Sequence, residues 1–152
     1  MKNENPKKFS LTFKENNNNH FPQCFLPTSS EKSRLMTFND KYLAYFGEYP
    51  YKIKIVDSTQ PKKLLRELPS NLLERLDVWD MEFSPFNNEI LSYSSGKKVY
   101  LYNLGEKKEN DNKIKAGLYN SHSNRVNFIN FNPVASNIMC SCTSGNAINV
   151  WE

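Results

Sequence analysis

The stretch Val126 to Glu152, VNFINFNPVASNIMCSCTSGNAINVWE, decides how this chain folds. A hydrophobic strand opens it and a turn at Asn132-Pro133 follows. A second strand, a Gly-Asn turn and a third strand complete it, ending at Ile148, Val150, Trp151 and Glu152. In Ile148-Asn149-Val150-Trp151 apolar and polar residues alternate, the period of a strand with one face buried. His122 stands a few residues ahead of the unit.

The unit occurs twice. Val78 to Tyr102 reads VWDMEFSPFNNEILSYSSGKKVYLY. Val78 falls on Val126, Met81 on Ile129, Phe83 on Phe131 and Pro85 on Pro133; Ile90-Leu91 fall on Ile138-Met139. After one skipped residue, Val99 falls on Ile148, Leu101 on Val150 and Tyr102 on Trp151. The period of 48 to 49 residues is that of a propeller blade, about 40–50. A His ahead of the unit and a Trp followed by an acid at its end form the frame of a WD40 blade, here His122 and Trp151-Glu152. A weaker copy precedes both. Leu43 to Phe46 and Ile53 to Val56 read as two strands joined by Gly47-Glu48-Tyr49-Pro50.

The expected fold is therefore all-β: a partial WD40 β-propeller, with two to three blades of antiparallel four-stranded sheets. The expected organisation is a basic, Asn-rich arm over residues 1–34 and the blades over residues 35–152. Such an incomplete ring leaves a strand edge and an apolar sheet face uncovered, so self-association is expected. One segment, Lys63 to Leu76 (KLLRELPSNLLERL), reads as helical, but Pro69 interrupts it and limits it to a connection with at most one helical turn. The Asn16–Asn19 run and Gly105 to Lys115 (GEKKENDNKIK) have no apolar area to bury and read as loops.

Composition narrows the function. No apolar run approaches the ~20 residues of a membrane span, and the first twenty residues carry no hydrophobic signal core. Cys24, Cys140 and Cys142 make an odd number of cysteines and read as reduced thiols, the last two on one side of one strand. His20, Cys24 and His122 lack metal-site spacing, so no metal or other cofactor is expected. No phosphate loop or nucleophile–base pattern is present, which argues against an enzyme built on a propeller. Residues 1–70 hold 12 Lys and Arg against 7 Asp and Glu, whereas residues 71–152 hold 8 against 9. The basic half suits an acidic partner. It lacks the basic stripe with interleaved aromatics that nucleic acid selects.

In order and spacing, the motifs resemble the coronin family. Val78 to Asn88 (VWDMEFSPFNN) resembles the coronin blade opening V-L-D-[ILMV]-[DE]-[FW]-[SC]-P-x-N-D, with Asp80 and Pro85 in the matching places. His122 to Trp151 resembles the following coronin blade, including Pro133. Asn39 to Ala44 (NDKYLA) resembles the segment of the first blade. Lys8-Phe9 and Phe13 sit where coronins carry K-[FY]-R-H-[VS]-F, and Gln23-Cys24-Phe25 resembles the downstream Q-C-Y.

The resemblance implies a non-enzymatic, cytoplasmic, cytoskeleton-associated regulator that binds actin filaments. The expected contacts come from Lys7, Lys8, Phe9 and Lys14, and the structural frame from His122, Trp151, Asp80, Pro85 and Pro133. Ser10 and Leu11 depart from the family's Arg-His pair. Glu74-Arg75-Leu76-Asp77 replaces the usual Gly-His turn before the second blade. Gly145 replaces the Asp that bonds the His–Trp network. The alternative is a generic WD40 scaffold of a vesicle-coat or RNA-processing assembly.

Overall fold

A computed structural model describes residues 34–47, 52–60, 63–68, 77–105, 117–119 and 122–152. These residues form eleven strands and no helix. They are β1 (Met36–Phe38), β2 (Tyr42–Phe46), β3 (Ile53–Asp57), β4 (Leu64–Leu68), β5 (Val78–Phe83), β6 (Ile90–Ser95), β7 (Lys98–Asn103), β8 (Gly117–Tyr119), β9 (Val126–Phe131), β10 (Met139–Thr143) and β11 (Ile148–Trp151). Each strand pairs antiparallel with its sequence neighbour. Three meanders result, in the orders β1-β2-β3-β4, β5-β6-β7-β8 and β9-β10-β11.

The register reproduces the repeat. Phe83, Leu91 and Tyr102 stand opposite one another across the second sheet, as Phe131, Met139 and Trp151 do across the third. The skipped residue lies in the hairpins. Between β6 and β7 Ser95 pairs with Lys98, leaving a two-residue turn whose Gly96 has φ 57°. No atom crowds Gly96, so its positive φ, not space, calls for glycine. Between β10 and β11 the Thr143 N–H bonds the Ala147 carbonyl at 3.0 Å around a three-residue loop. There Asn146 takes the left-handed conformation, φ 61°.

The segment from Lys63 departs from expectation: Leu64–Leu68 is a strand, not a helical turn. Its Leu pairs suggested a helical stripe, but the outer edge of β3 offers backbone partners, and Leu68 pairs with Ile53 and is buried. Tertiary pairing overrides local propensity here. The strand β8 has no counterpart in the sequence reading, because Gly117-Leu118-Tyr119 is too short to show periodicity.

Packing runs from sheet to sheet. Ala44, Phe46, Ile53, Ile55 and Leu68 of the first sheet meet Val78, Met81, Phe83, Leu91 and Tyr93 of the second. On the far face of the second sheet, Val99 and Leu101 meet Val126, Ile129, Met139 and Trp151 of the third. Each fully buried Leu, Ile or Phe contributes on the order of 1.5–3 kcal/mol. The second sheet is covered on both faces, so the middle of β6 is buried continuously. In the third sheet β11 alternates exposed and half-buried residues, because one face has no neighbour among the described residues. Ile148 and Val150 are 67% and 70% exposed on that face, with Phe128 beside them.

Candidate functional site: an inter-sheet groove and two polar clamps

The strands that open each sheet, β1, β5 and β9, lie nearest one another, and a charged clamp ties them together. Asp80 sits mid-way along β5 with its side chain fully buried. An ionised carboxylate in such a place requires a cation and further hydrogen bonds. Arg34, just ahead of β1, supplies the cation: Nε donates to Asp80 Oδ1 at 2.8 Å and Nη2 to Oδ2 at 3.0 Å. Arg34 also pairs with Glu82 at 3.0 Å and donates to the Ile129 carbonyl. Its hydrogen bonds to Asp80, chiefly, and to Glu82 hold the guanidinium pKa well above its ordinary value.

The acids also reach the third sheet. The Ile129 N–H donates to Asp80 Oδ2 at 2.8 Å and the Phe131 N–H to Glu82 at 2.9 Å. Asp80 and Glu82 thus satisfy backbone donors on the edge of β9 that no strand pairs among the described residues. Arg34 completes the bridge by lying over the Phe128 ring, 5.5 Å from its centroid.

The second clamp holds the third sheet. Ser141 on β10 is fully buried, and its Oγ accepts the Trp151 indole N–H at 2.8 Å. The same oxygen lies 2.6 Å from His122 Nε2. The His122 and Trp151 rings meet edge to face at 5.9 Å. Trp151 is half-buried on β11, the outer strand of the described sheet. In the β10–β11 turn Gly145 lies against the Asn124 amide: a Cβ there would stand 2.2 Å from Asn124 Nδ2.

Pro85 and Pro133 are exposed and open equivalent loops. Behind them Ser84 N–H bonds the Ile90 carbonyl and Asn132 N–H the Ile138 carbonyl, closing β5–β6 and β9–β10. Asn132 Oδ1 accepts from Val134 and Ala135 N–H, the side-chain turn that an Asn-Pro dipeptide favours. Between these loops, at one end of the second and third sheets, lies a groove of about 350 Å³. Phe86, Leu101, Phe131, Met139 and Trp151 line it, and Glu152 stands at its rim. A mainly apolar cleft with a few polar groups suits a peptide side chain.

Sequence reasoning singled out Asp80, His122 and Trp151 but missed Arg34, Glu82, Ser141 and Asn124. One signal was available: acids at Asp80 and Glu82 inside the apolar run VWDMEF demand a cation from elsewhere. Lys7, Lys8, Phe9 and Lys14, with Ser10 and Leu11, lie outside the described residues, as does all of the 1–34 arm except Arg34. Cys140 and Cys142 are free thiols on the open face of the third sheet, and burial pushes the Cys142 thiol pKa up. Among the described residues no three His, Cys, Asp or Glu side chains are grouped to hold a metal. No helix among them is long and apolar enough to cross a membrane.

No protein-family model matches the chain, and no curated protein matches it. A solved structure does: the WD40 domain of coronin from Toxoplasma gondii, at 18% identity and a TM-score of 0.64. The similarity covers 83% of this chain and 33% of that one, so the chain spans about a third of the domain it resembles. The fold is that of a WD40 β-propeller segment, three antiparallel sheets stacked side by side.

Proposed function

We propose that the chain is a non-enzymatic protein-interaction unit of the coronin kind, contributing to the binding of actin filaments. The observation that carries this reading is the VWDMEFSPFNN segment. It resembles a coronin blade opening, and in the fold its Asp80 and Glu82 join three sheets. The likeness to a coronin WD40 domain supports the same reading at the level of architecture. On this reading Lys7, Lys8 and Lys14 contact the acidic filament, Phe9 anchors the arm, and the protein works in the cytoplasm on the cytoskeleton. Ser10 and Leu11 weaken the contact, since a hydroxyl cannot replace a guanidinium fork on an acidic surface.

The test is co-sedimentation with filamentous actin at low and high salt. Wild type is expected to pellet weakly at low salt and less at high salt, because charge contacts are screened over about 10 Å at 0.1 M. Lys7→Ala/Lys8→Ala/Lys14→Ala should abolish pelleting and Ser10→Arg/Leu11→His should strengthen it. No pelleting by either wild type or Ser10→Arg/Leu11→His would remove the actin reading. The groove beside Trp151 favours a second reading, a general scaffold that takes an apolar peptide segment independently of the basic arm. That reading keeps its partner when the three lysines are removed.

A further inference from the structure

His122 is buried, 6% exposed, and among the described residues its side chain holds one hydrogen bond. The bond's direction follows from its neighbours. The Trp151 indole N–H can only donate, so it occupies an acceptor site on Ser141 Oγ. The single Ser141 O–H is then free to point at His122 Nε2, 2.6 Å away. With the O–H so directed, the imidazole is neutral and carries its proton on Nδ1. That Nδ1 is the buried side-chain atom without a hydrogen-bond partner among the described residues.

The charged groups nearby in the chain are engaged or turned away. Arg125 stacks on Trp79 of β5 at 3.4 Å, Asp77 accepts the Trp79 indole N–H at 2.8 Å, and Glu152 is exposed at the end of β11. On β10 the thiols Cys140 and Cys142 belong to the opposite face from Ser141.

We propose that the His122–Ser141–Trp151 chain is an acid-sensitive latch on the third sheet, holding β11 and the Trp151 wall of the groove at neutral pH and releasing them in acid. A proton taken up at Nε2 makes both ring nitrogens donors, so the Ser141 O–H···Nε2 bond is lost. The resulting cation is buried with no carboxylate among the described residues to meet it.

The sign follows from burial, which lowers the His122 pKa below its ordinary 6.5 and is the one cause of the shift. The opened state takes up the proton more readily than the closed one. The latch is therefore fully closed above about pH 6.5 and weakens as pH falls below it.

Hydrogen exchange of residues 139–151, corrected for intrinsic rates, tests this between pH 7.5 and 5.5. His20, the chain's other histidine, is replaced by Gln throughout. Protection of β10–β11 is expected to fall by up to roughly tenfold at pH 5.5, the ratio for one unit below the unfolded pKa. Protection of β5–β6 should stay level. In His122→Gln, which cannot titrate, β10–β11 protection should be flat across the window. Level wild-type protection, or an equal fall in His122→Gln, would each overturn the latch.

Discussion

Arg34 and Asp80 form a two-pronged ion pair across 46 residues of sequence, Nε to Oδ1 at 2.8 Å and Nη2 to Oδ2 at 3.0 Å. The pair joins the segment ahead of the first sheet to the opening strand of the second. Through Ile129 and Phe131 it also reaches the opening strand of the third. The order of the three sheets is thus fixed by charge as well as by apolar packing.

Removing one partner should cost far more than an ordinary surface pair. Arg34→Ala strands the Asp80 carboxylate in the interior, and loss of one partner of a buried pair costs about 3–5 kcal/mol. Arg34→Lys keeps the charge but not the fork, so it should recover only part of the loss. Urea midpoints of the three proteins, at equal m-values, measure the order wild type, Lys, Ala. Equal midpoints for Ala and wild type would show the clamp to be idle.

Ser141 offers a separate test, because one oxygen serves two aromatic rings. Ser141→Ala leaves the Trp151 N–H and His122 Nε2 without their partner, about 1–3 kcal/mol for each buried group left unpaired. Trp151→Phe removes only one donor and retains most of the ring, so its loss should be smaller. Chemical denaturation at pH 7.5 ranks the two. A milder effect for Ser141→Ala than for Trp151→Phe would contradict the shared-oxygen arrangement.

Much of this architecture is legible because a blade's alternation and turns are local. Phe83, Leu91 and Tyr102 announce their register with Phe131, Met139 and Trp151 through a spacing of 48 to 49 residues. What the sequence hides is non-local. Leu64–Leu68 becomes a strand only because β3 has a free edge. Arg34 stands alone among polar residues, and its partners are 46 and 48 residues away. Ser141 is a small polar residue between two cysteines, and nothing local marks it as the bridge between His122 and Trp151. The contact of the Asn124 amide with Gly145 emerges only when the turn folds back on the segment ahead of β9.

Acid should also loosen the contact between the first two sheets, at a lower pH than the latch. Glu89 accepts hydrogen bonds from Lys41 and from the Tyr42 hydroxyl, joining the β1–β2 turn to the β5–β6 loop. The hydrogen bond from Lys41 is the main cause holding the Glu89 pKa below its ordinary 4.5. Its contribution is therefore present above about pH 4.5 and fades as pH falls through the folded value. Glu89→Gln should flatten the fall of the melting temperature below pH 4.5 relative to wild type. Part of the slope should remain, because Asp57, lowered by its bond from Thr59, titrates independently. An unaltered slope in Glu89→Gln would show that this carboxylate does not couple the sheets.

The third sheet leaves two kinds of unsatisfied surface together. Phe128, Ile148 and Val150 are 41%, 67% and 70% exposed on one face, and β11 carries an edge with no strand beyond it among the described residues. The equivalent face of the second sheet, with Val99 and Leu101, is covered by Val126, Ile129 and Met139. Apolar area of this kind and an unblunted strand edge both favour association. The isolated chain is therefore expected to self-associate at micromolar concentration. Val150→Lys, which puts a charge on the face and beside the edge, should shift the population toward monomer without lowering the melting temperature, since residue 150 is mostly exposed. Light scattering coupled to sizing reads both proteins. A wild-type chain that stays monomeric across the concentration range, with a cooperative melt, would show that the face is adequately solvated as it stands.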